Sequence, residues 1–185
     1  MRFKTHLTQR QMIGLFPGRF SVPTIAHQAI IDQMVKLHDI NYVILIEGSQ
    51  SSKNKVKNPF NLELQKEMLT EIIPSGVGLI VAKNGFLPDI IKKQLIPNLS
   101  SPDVVTNGFM VYAGSDRIAG YREQQRYIED YKLNFTEKKR NDPTVSATRV
   151  REALLDGDQS LFNKLTPKKI HSYYKKLHRE IIKVS

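Results

Sequence analysis

The chain has 185 residues, 40% of them hydrophobic and 25% charged. That is the mix and size of one ordinary globular domain, not of a disordered chain. It has no cysteine, which excludes a disulfide framework, a cysteine nucleophile and a thiolate metal site. A net charge of +10 favours anionic partners: nucleotides, nucleic acid or an anionic membrane face.

The first residues, MRFKTHLTQRQM, are basic, but Gly14, Pro17, Gly18 and Arg19 follow too soon for a signal peptide. No stretch approaches the ~18 apolar residues of a membrane span. The expectation is a cytoplasmic protein with no membrane partner. Gln11 to Phe16 is a short apolar run ending in Pro17-Gly18, which predicts a buried strand entering a tight loop. Ile25, Ala26, Ile30, Met34 and Leu37 recur at helical spacing, and Thr24 can cap that helix. Ile40 to Ile46 is nearly continuously apolar, as a strand covered on both faces should be. Gly48 to Asn58 is polar and basic, and Pro59 opens a helix from Phe60 to Ile73. Val77 to Val81 reads as a strand, Pro88 to Leu95 as a helix and Phe109 to Tyr112 as a strand. A helix from Ser115 to Tyr131, a last strand from Asn134 to Lys139 and helices over Ser146 to Leu155 and Pro167 to Lys183 complete the chain. Strands alternating with helices imply an α/β fold with a parallel sheet and helices on both faces. Ligands of such sheets bind beyond the carboxyl ends of the strands.

No Walker-type glycine loop is present, and Gly76-Val77-Gly78 precedes a strand where a cofactor loop would follow one. The five histidines lack metal-binding spacing. Three segments carry chemistry. In Gly14 to His27, GLFPGRFSVPTIAH, a strand runs into a glycine turn and a helix opens at Thr24 with His27 in its first turn. Such a helix start favours a phosphate. Thr24 and His27 can donate to it, and Arg19 adds a fixed cation with fork geometry. In Val145 to Arg151, Ser146 and Thr148 stand at a helix start and Arg151 one turn further in; alone, this is also what a capped surface helix looks like. Gly114-Ser115-Asp116-Arg117 follows a strand. Asp116 there can accept from a ribose hydroxyl or a base amine, orient a metal-bound water, or be a plain helix start.

Together these segments resemble the nucleotidyltransferase superfamily. The first is similar to its His-Ile-Gly-His signature. Val145, Ser146, Ala147, Thr148 and Arg151 are similar to its Ile-Ser-Ser-Thr-x-x-Arg signature. GLFPGRF and the Gly48-Ser49…Asn58-Pro59-Phe60 loop resemble archaeal-type nicotinamide mononucleotide adenylyltransferases. GRFSVPTIAH, SKNKVKNPF, GSDR and SATRVR also resemble phage cytidylyltransferase-like proteins. Thr24 and Ala26 stand where many members carry histidine and glycine.

The resemblance implies a Rossmann-like three-layer α/β/α domain over 1–166, with a C-terminal helix over 167–185. It implies transfer of a nucleoside monophosphate from a triphosphate to an acceptor phosphate, with pyrophosphate leaving. Thr24, His27 and Arg151 would be catalytic. Phe16, Gly18, Arg19, Phe20, Gly114, Asp116, Ser146 and Thr148 would join them in binding the nucleotide. Ser49, Asn58 and Arg117 would bind the acceptor. Mg²⁺ would be held mainly by substrate phosphates, with no protein metal site, and one of Lys53, Lys55 and Lys57 could close over the nucleotide. ATP with nicotinamide mononucleotide is the first expectation, and CTP with another phosphorylated small molecule is the alternative. A homo-oligomer is compatible with the sequence. A nucleotide-binding module with weak turnover would account for Thr24 and Ala26. A nucleic-acid-binding protein would account for the +10 charge, but basic residues on the polar face of the last helix disfavour it. A class I aminoacyl-tRNA synthetase is excluded by length and by the missing Lys-Met-Ser-Lys-Ser loop.

Overall fold

The computed structural model describes residues 12–48, 58–99, 108–138 and 144–185. The chain divides into two compact units. Of the described residues, the first unit takes those up to Gly18, Ile30–Ile46 and those within Ser75–Lys139. The second takes Arg19–Ala29 and those within Glu47–Pro74 and Arg140–Ser185.

The first unit holds a five-stranded sheet of β1 (Ile13–Gly18), β2 (Ile40–Ile46), β3 (Val77–Ala82), β4 (Phe109–Gly114) and β5 (Leu133–Lys138). The strand order is β3-β2-β1-β4-β5 and every pair is parallel. This is the α/β Rossmann-like architecture that the alternation of strands and helices predicted. On one face Ile13, Leu15, Ile44, Val111 and Phe109 pack with Leu87, Ile91 and Ile118. On the other face, Met34 of α1 (Ile25–Leu37) and His38, the residue after that helix, reach Gly14 of β1. With both faces covered, the strands read as continuous apolar runs.

The order reverses between β1 and β4. There β1 pairs with β2 through Gly18 but with β4 only through Leu15. The β4 pairing stops before Pro17, which has no N–H to give a ladder. The two strands therefore part at their carboxyl ends, the place where open α/β sheets bind ligands.

Gly14 has a tight reason to be glycine. A methyl there would stand 2.4 Å from Asn41 Oδ1 and 3.0 Å from the His38 ring. His38 Nε2 is 2.7 Å from the Tyr112 hydroxyl, and Asn41 Nδ2 donates to the His38 carbonyl at 2.8 Å. Burial pushes the Tyr112 phenol up to about 12, so it stays protonated and can donate to His38. Gly14→Ala should destabilise the chain by about 1–3 kcal/mol, the usual range for overpacking. Urea unfolding checks this. Gly78 likewise lies under the Tyr42 ring, 2.4 Å from where a methyl would sit. That packing accounts for Gly78, while Gly76 has φ of 90°, a conformation that favours glycine.

Two helix predictions need correcting. The helix expected from Ser115 to Tyr131 ends at Glu123 and is followed by a 3₁₀ turn over Gln124–Tyr127. Glutamine side chains replace the backbone ladder there. Gln124 Oε1 accepts from the Leu87 N–H at 2.8 Å, and Gln125 Oε1 accepts from the Leu133 N–H at 2.6 Å. The segment expected as one helix from Pro88 to Leu95 is a short α-turn, Leu87–Ile90, running into a π-turn, Ile91–Leu95.

The second unit holds α2 (Leu62–Ile72), α5 (Ala147–Leu155), α6 (Gln159–Leu165) and α7 (Tyr174–Ile182); the first unit's helices Leu87–Ile90 and Ser115–Glu123 are α3 and α4. No element was expected over α6. Gly157, with φ of 70°, ends the preceding turn, and Asp158 caps the new helix by accepting from the Leu161 N–H at 2.9 Å. Phe162 of α6 lies against Tyr174 of α7, ring centroids 5.3 Å apart. The expected C-terminal helix starts as a 3₁₀ stretch, Lys168–Tyr173, and turns α-helical at Tyr174. Among the described residues no helix is long and apolar enough to cross a membrane.

Candidate active site

The second unit contains the turn before α1. Thr24 is the residue before the helix, and its carbonyl accepts from the Gln28 N–H at 3.1 Å. His27 is the third helical residue. The Thr24 N–H donates to His27 Nδ1 at 3.0 Å, and the His27 N–H donates to Thr24 Oγ1 at 3.4 Å. This is a reciprocal capping box with imidazole in place of the usual carboxylate. Because a backbone N–H is always a donor, Nδ1 must be the bare nitrogen. The neutral ring therefore carries its proton on Nε2, as a donor. No acidic residue occupies the first turn of α1, so the positive end of the helix dipole is left uncompensated by the helix's own side chains. Thr24 is only 2% exposed, and Thr24 Oγ1 lies 3.2 Å from His27 Nδ1. Its hydroxyl oxygen accepts from the His27 N–H, which holds the threonine against the imidazole.

Phe20 braces the same ring. It is buried, its centroid is 5.1 Å from that of His27, and the planes cross at 71°. Its backbone φ is 43°, the left-handed region, which a bulky residue adopts only when its surroundings hold it there. Arg19 is exposed, and its guanidinium lies over Gly48, with Nε 3.4 Å from where a Gly48 methyl would sit. Gly48 has φ of 75°. Sequence reading did not single it out as a support for Arg19, although a glycine directly after a strand was a usable signal. Gly48→Ala fits sterically but forces a left-handed alanine. It should lower the melting temperature by a few degrees, from roughly 1 kcal/mol of strain, which thermal unfolding checks.

Also in the second unit, Ser146 caps α5, its Oγ accepting from the Arg149 N–H at 3.2 Å. Arg151 Nη2 donates to Thr148 Oγ1 at 3.1 Å. Burial lowers the Arg151 pKa, and Glu152 opposes that shift; an arginine remains a cation at neutral pH regardless. Asn58 lines a cavity of about 400 Å³ together with Glu47, Phe60, Gln65, Glu180 and Val184. Glu180 and Val184 come from the C-terminal segment, whose contribution the sequence reading left unassigned.

The first unit carries the remaining predicted residues at its switch point. Phe16 is buried near the end of β1, and Gly18 is the last residue of that strand. Gly114 ends β4 and caps α4 without a side chain. Asp116 folds back over it, its Oδ1 2.8 Å from where a Gly114 methyl would sit. The Asp116 carboxylate also lies 3.9 Å from Arg117 Nε, and both side chains are exposed. Ser49, Lys53, Lys55 and Lys57 lie outside the described residues. Among the described residues no group of three or more His, Asp or Glu is placed to hold a metal ion.

The first unit is an α/β fold with a switch point, and the second holds a helix start and two arginines of the kinds that suit phosphate groups. The Cytidylyltransferase-like family model matches residues 15–153, and the chain belongs to that family. It is 30% identical over 171 residues to a nicotinamide-nucleotide adenylyltransferase of Pyrobaculum arsenaticum, covering 89% of this chain and 88% of that protein. Among solved structures, it matches a nicotinic acid mononucleotide adenylyltransferase of Plasmodium falciparum, complexed with APC, with a TM-score of 0.61 and 16% identity over 91% of this chain and 96% of that one. A bifunctional NMN adenylyltransferase/ADP ribose pyrophosphatase of Francisella tularensis, complexed with AMP and a manganese ion, matches with a TM-score of 0.68 and 16% identity over 93% of this chain. The chain spans 52% of the length of that bifunctional enzyme.

Proposed function

We propose that the protein is a cytoplasmic nucleotidyltransferase that moves AMP from ATP to nicotinamide mononucleotide, making NAD and releasing pyrophosphate. The observation that carries this reading is the Thr24–His27 cap, which makes Nε2 the imidazole's proton donor at a helix start. A phosphate is what such a donor and such a helix end suit. The names of the relatives support the adenylyl donor and the pyridine-nucleotide acceptor.

An oxygen of the acceptor phosphate forms a bond to the α-phosphorus of ATP. The bond from that phosphorus to the β-bridging oxygen breaks, and pyrophosphate leaves with the electron pair. The acceptor phosphate is already ionised, so no strong base is needed. The rate depends on positioning two polyanions and on neutralising the charge that grows on the leaving group. His27 donates from Nε2 to the triphosphate, while Thr24 holds the ring and Phe20 braces it. Arg19, Ser146, Thr148 and Arg151 clamp the β and γ groups, and Phe16, Gly18, Gly114 and Asp116 serve the nucleoside side. Ser49, Asn58 and Arg117 serve the acceptor.

The groups assigned to the phosphates are donors and cations, a set that fits phosphate oxygens and not a bare metal ion. Mg²⁺ therefore belongs to the substrate, entering on the triphosphate with much of its own water and lowering the charge the arginines must meet.

The test is pyrophosphate release with Mg²⁺, crossing ATP and CTP against nicotinamide mononucleotide and a panel of phosphorylated alcohols, with product masses measured. ATP with nicotinamide mononucleotide should give a product of NAD mass. Activity only with CTP would move the protein to cytidylyl transfer, the reaction after which its family is described. Nucleotide binding with no turnover for any pair would reduce it to a binding module.

A further inference from the structure

The turn between β1 and α1 holds a polar group that neither the sequence motifs nor the fold explains. Ser21 is 7% exposed, and its hydroxyl has no hydrogen-bond partner among the described residues. A buried hydroxyl without a partner is unfavourable in the free protein. Such groups persist where a ligand completes them. The position is specific. Ser21 follows Phe20, the strained residue at φ 43°, and two residues before it stands Arg19, whose guanidinium lies on Gly48. Three residues after it Thr24 locks the His27 imidazole. A hydroxyl in the same turn as an arginine, and just ahead of a helix start that carries an imidazole N–H, matches a ligand that presents anionic oxygens.

We infer that the Ser21 hydroxyl binds the phosphate of the acceptor. The inference rests on the proposed transferase reading and deepens it. There, His27 and the clamp of α5 take the triphosphate. The attacking phosphate must lie beside the α-phosphorus and needs a separate anchor to align it. Ser21 precedes the first residue of α1 by four positions, ahead of the cap that serves the triphosphate, and it belongs to the same turn as Arg19. Ser21 follows the left-handed backbone at Phe20 and is buried although no hydrogen bond among the described residues rewards it.

The experiment uses the full chain with Ser21→Ala and Ser21→Cys, the second being close in volume but a weak donor. Three quantities are measured: the melting temperature without ligand, the affinity for nicotinamide mononucleotide by calorimetry without ATP, and steady-state kinetics. Removing an unpartnered hydroxyl should leave the melting temperature unchanged or raise it. Affinity and kcat/KM for nicotinamide mononucleotide should fall about tenfold in both variants, the effect of one hydrogen bond to a charged group, with the KM for ATP unchanged. A lower melting temperature with unchanged acceptor affinity would overturn the inference, because the hydroxyl would then be held internally through a trapped water. A rise in the KM for ATP instead of the acceptor would overturn it too. If the wild-type protein binds nicotinamide mononucleotide but releases no pyrophosphate, the transferase reading fails while the affinities still judge Ser21. If it does not bind that nucleotide at all, both fail.

Discussion

His27→Ala should lower turnover by roughly 10²-fold or more, the scale for losing a preorganised donor to a transition state. The structure adds a complication that the sequence does not reveal. His27 also supplies half of the capping box through Nδ1, so the alanine variant loses a cap as well as a donor. A lost cap costs about 1 kcal/mol. His27→Glu separates the two effects. Glutamate at this position is the ordinary partner of a capping threonine, so the melting temperature should return to the wild-type value. The carboxylate cannot donate and repels phosphate, so activity should stay at or below that of the alanine variant. If His27→Glu restores both stability and rate, His27 is only a cap and the phosphate assignment is wrong.

Arg151→Ala should have the next largest effect, a loss on the order of 10²-fold in kcat, with little change in stability. Arg151 stands on α5 one turn after the Ser146 cap, and Thr148 Oγ1 accepts from it at 3.1 Å. That bond fixes one edge of the guanidinium and so limits the freedom lost when phosphate binds. Arg151→Lys keeps the charge but not the fork and should still lose about tenfold. Pyrophosphate-release kinetics at saturating acceptor read these losses directly. A wild-type rate for Arg151→Ala would leave α5 as the capped surface helix that its sequence alone equally allows.

The strands were legible in the sequence because each is a short apolar run covered on both faces. Ile40–Ile46 is the clearest case, found with its observed bounds. The helix of Thr24 to Leu37 was legible because its apolar residues recur with helical period and a threonine precedes them. Helix ends set by long-range partners were not legible. Nothing around Glu123 announces that Gln124 and Gln125 will stop α4, because their partners, Leu87 and Leu133, come from other elements. Within the site, the residue types and spacing of Arg19, Thr24, His27, Ser146, Thr148 and Arg151 pointed to phosphate chemistry. Their roles relative to one another did not follow from spacing.

The sequence by itself determined the class of chemistry. Charge and hydrogen-bonding capacity belong to residue type, and the periodicity of apolar residues decides which segments become strands and helices. Tertiary structure decided the state of each group. It chose the imidazole nitrogen that carries the proton by offering a backbone donor to the other. It set Thr24 against the His27 imidazole, laid the Arg19 guanidinium on Gly48, and buried the Ser21 hydroxyl with no hydrogen-bond partner among the described residues. Burial and pairing depend on which distant segments meet, and local patterning of the chain does not encode that.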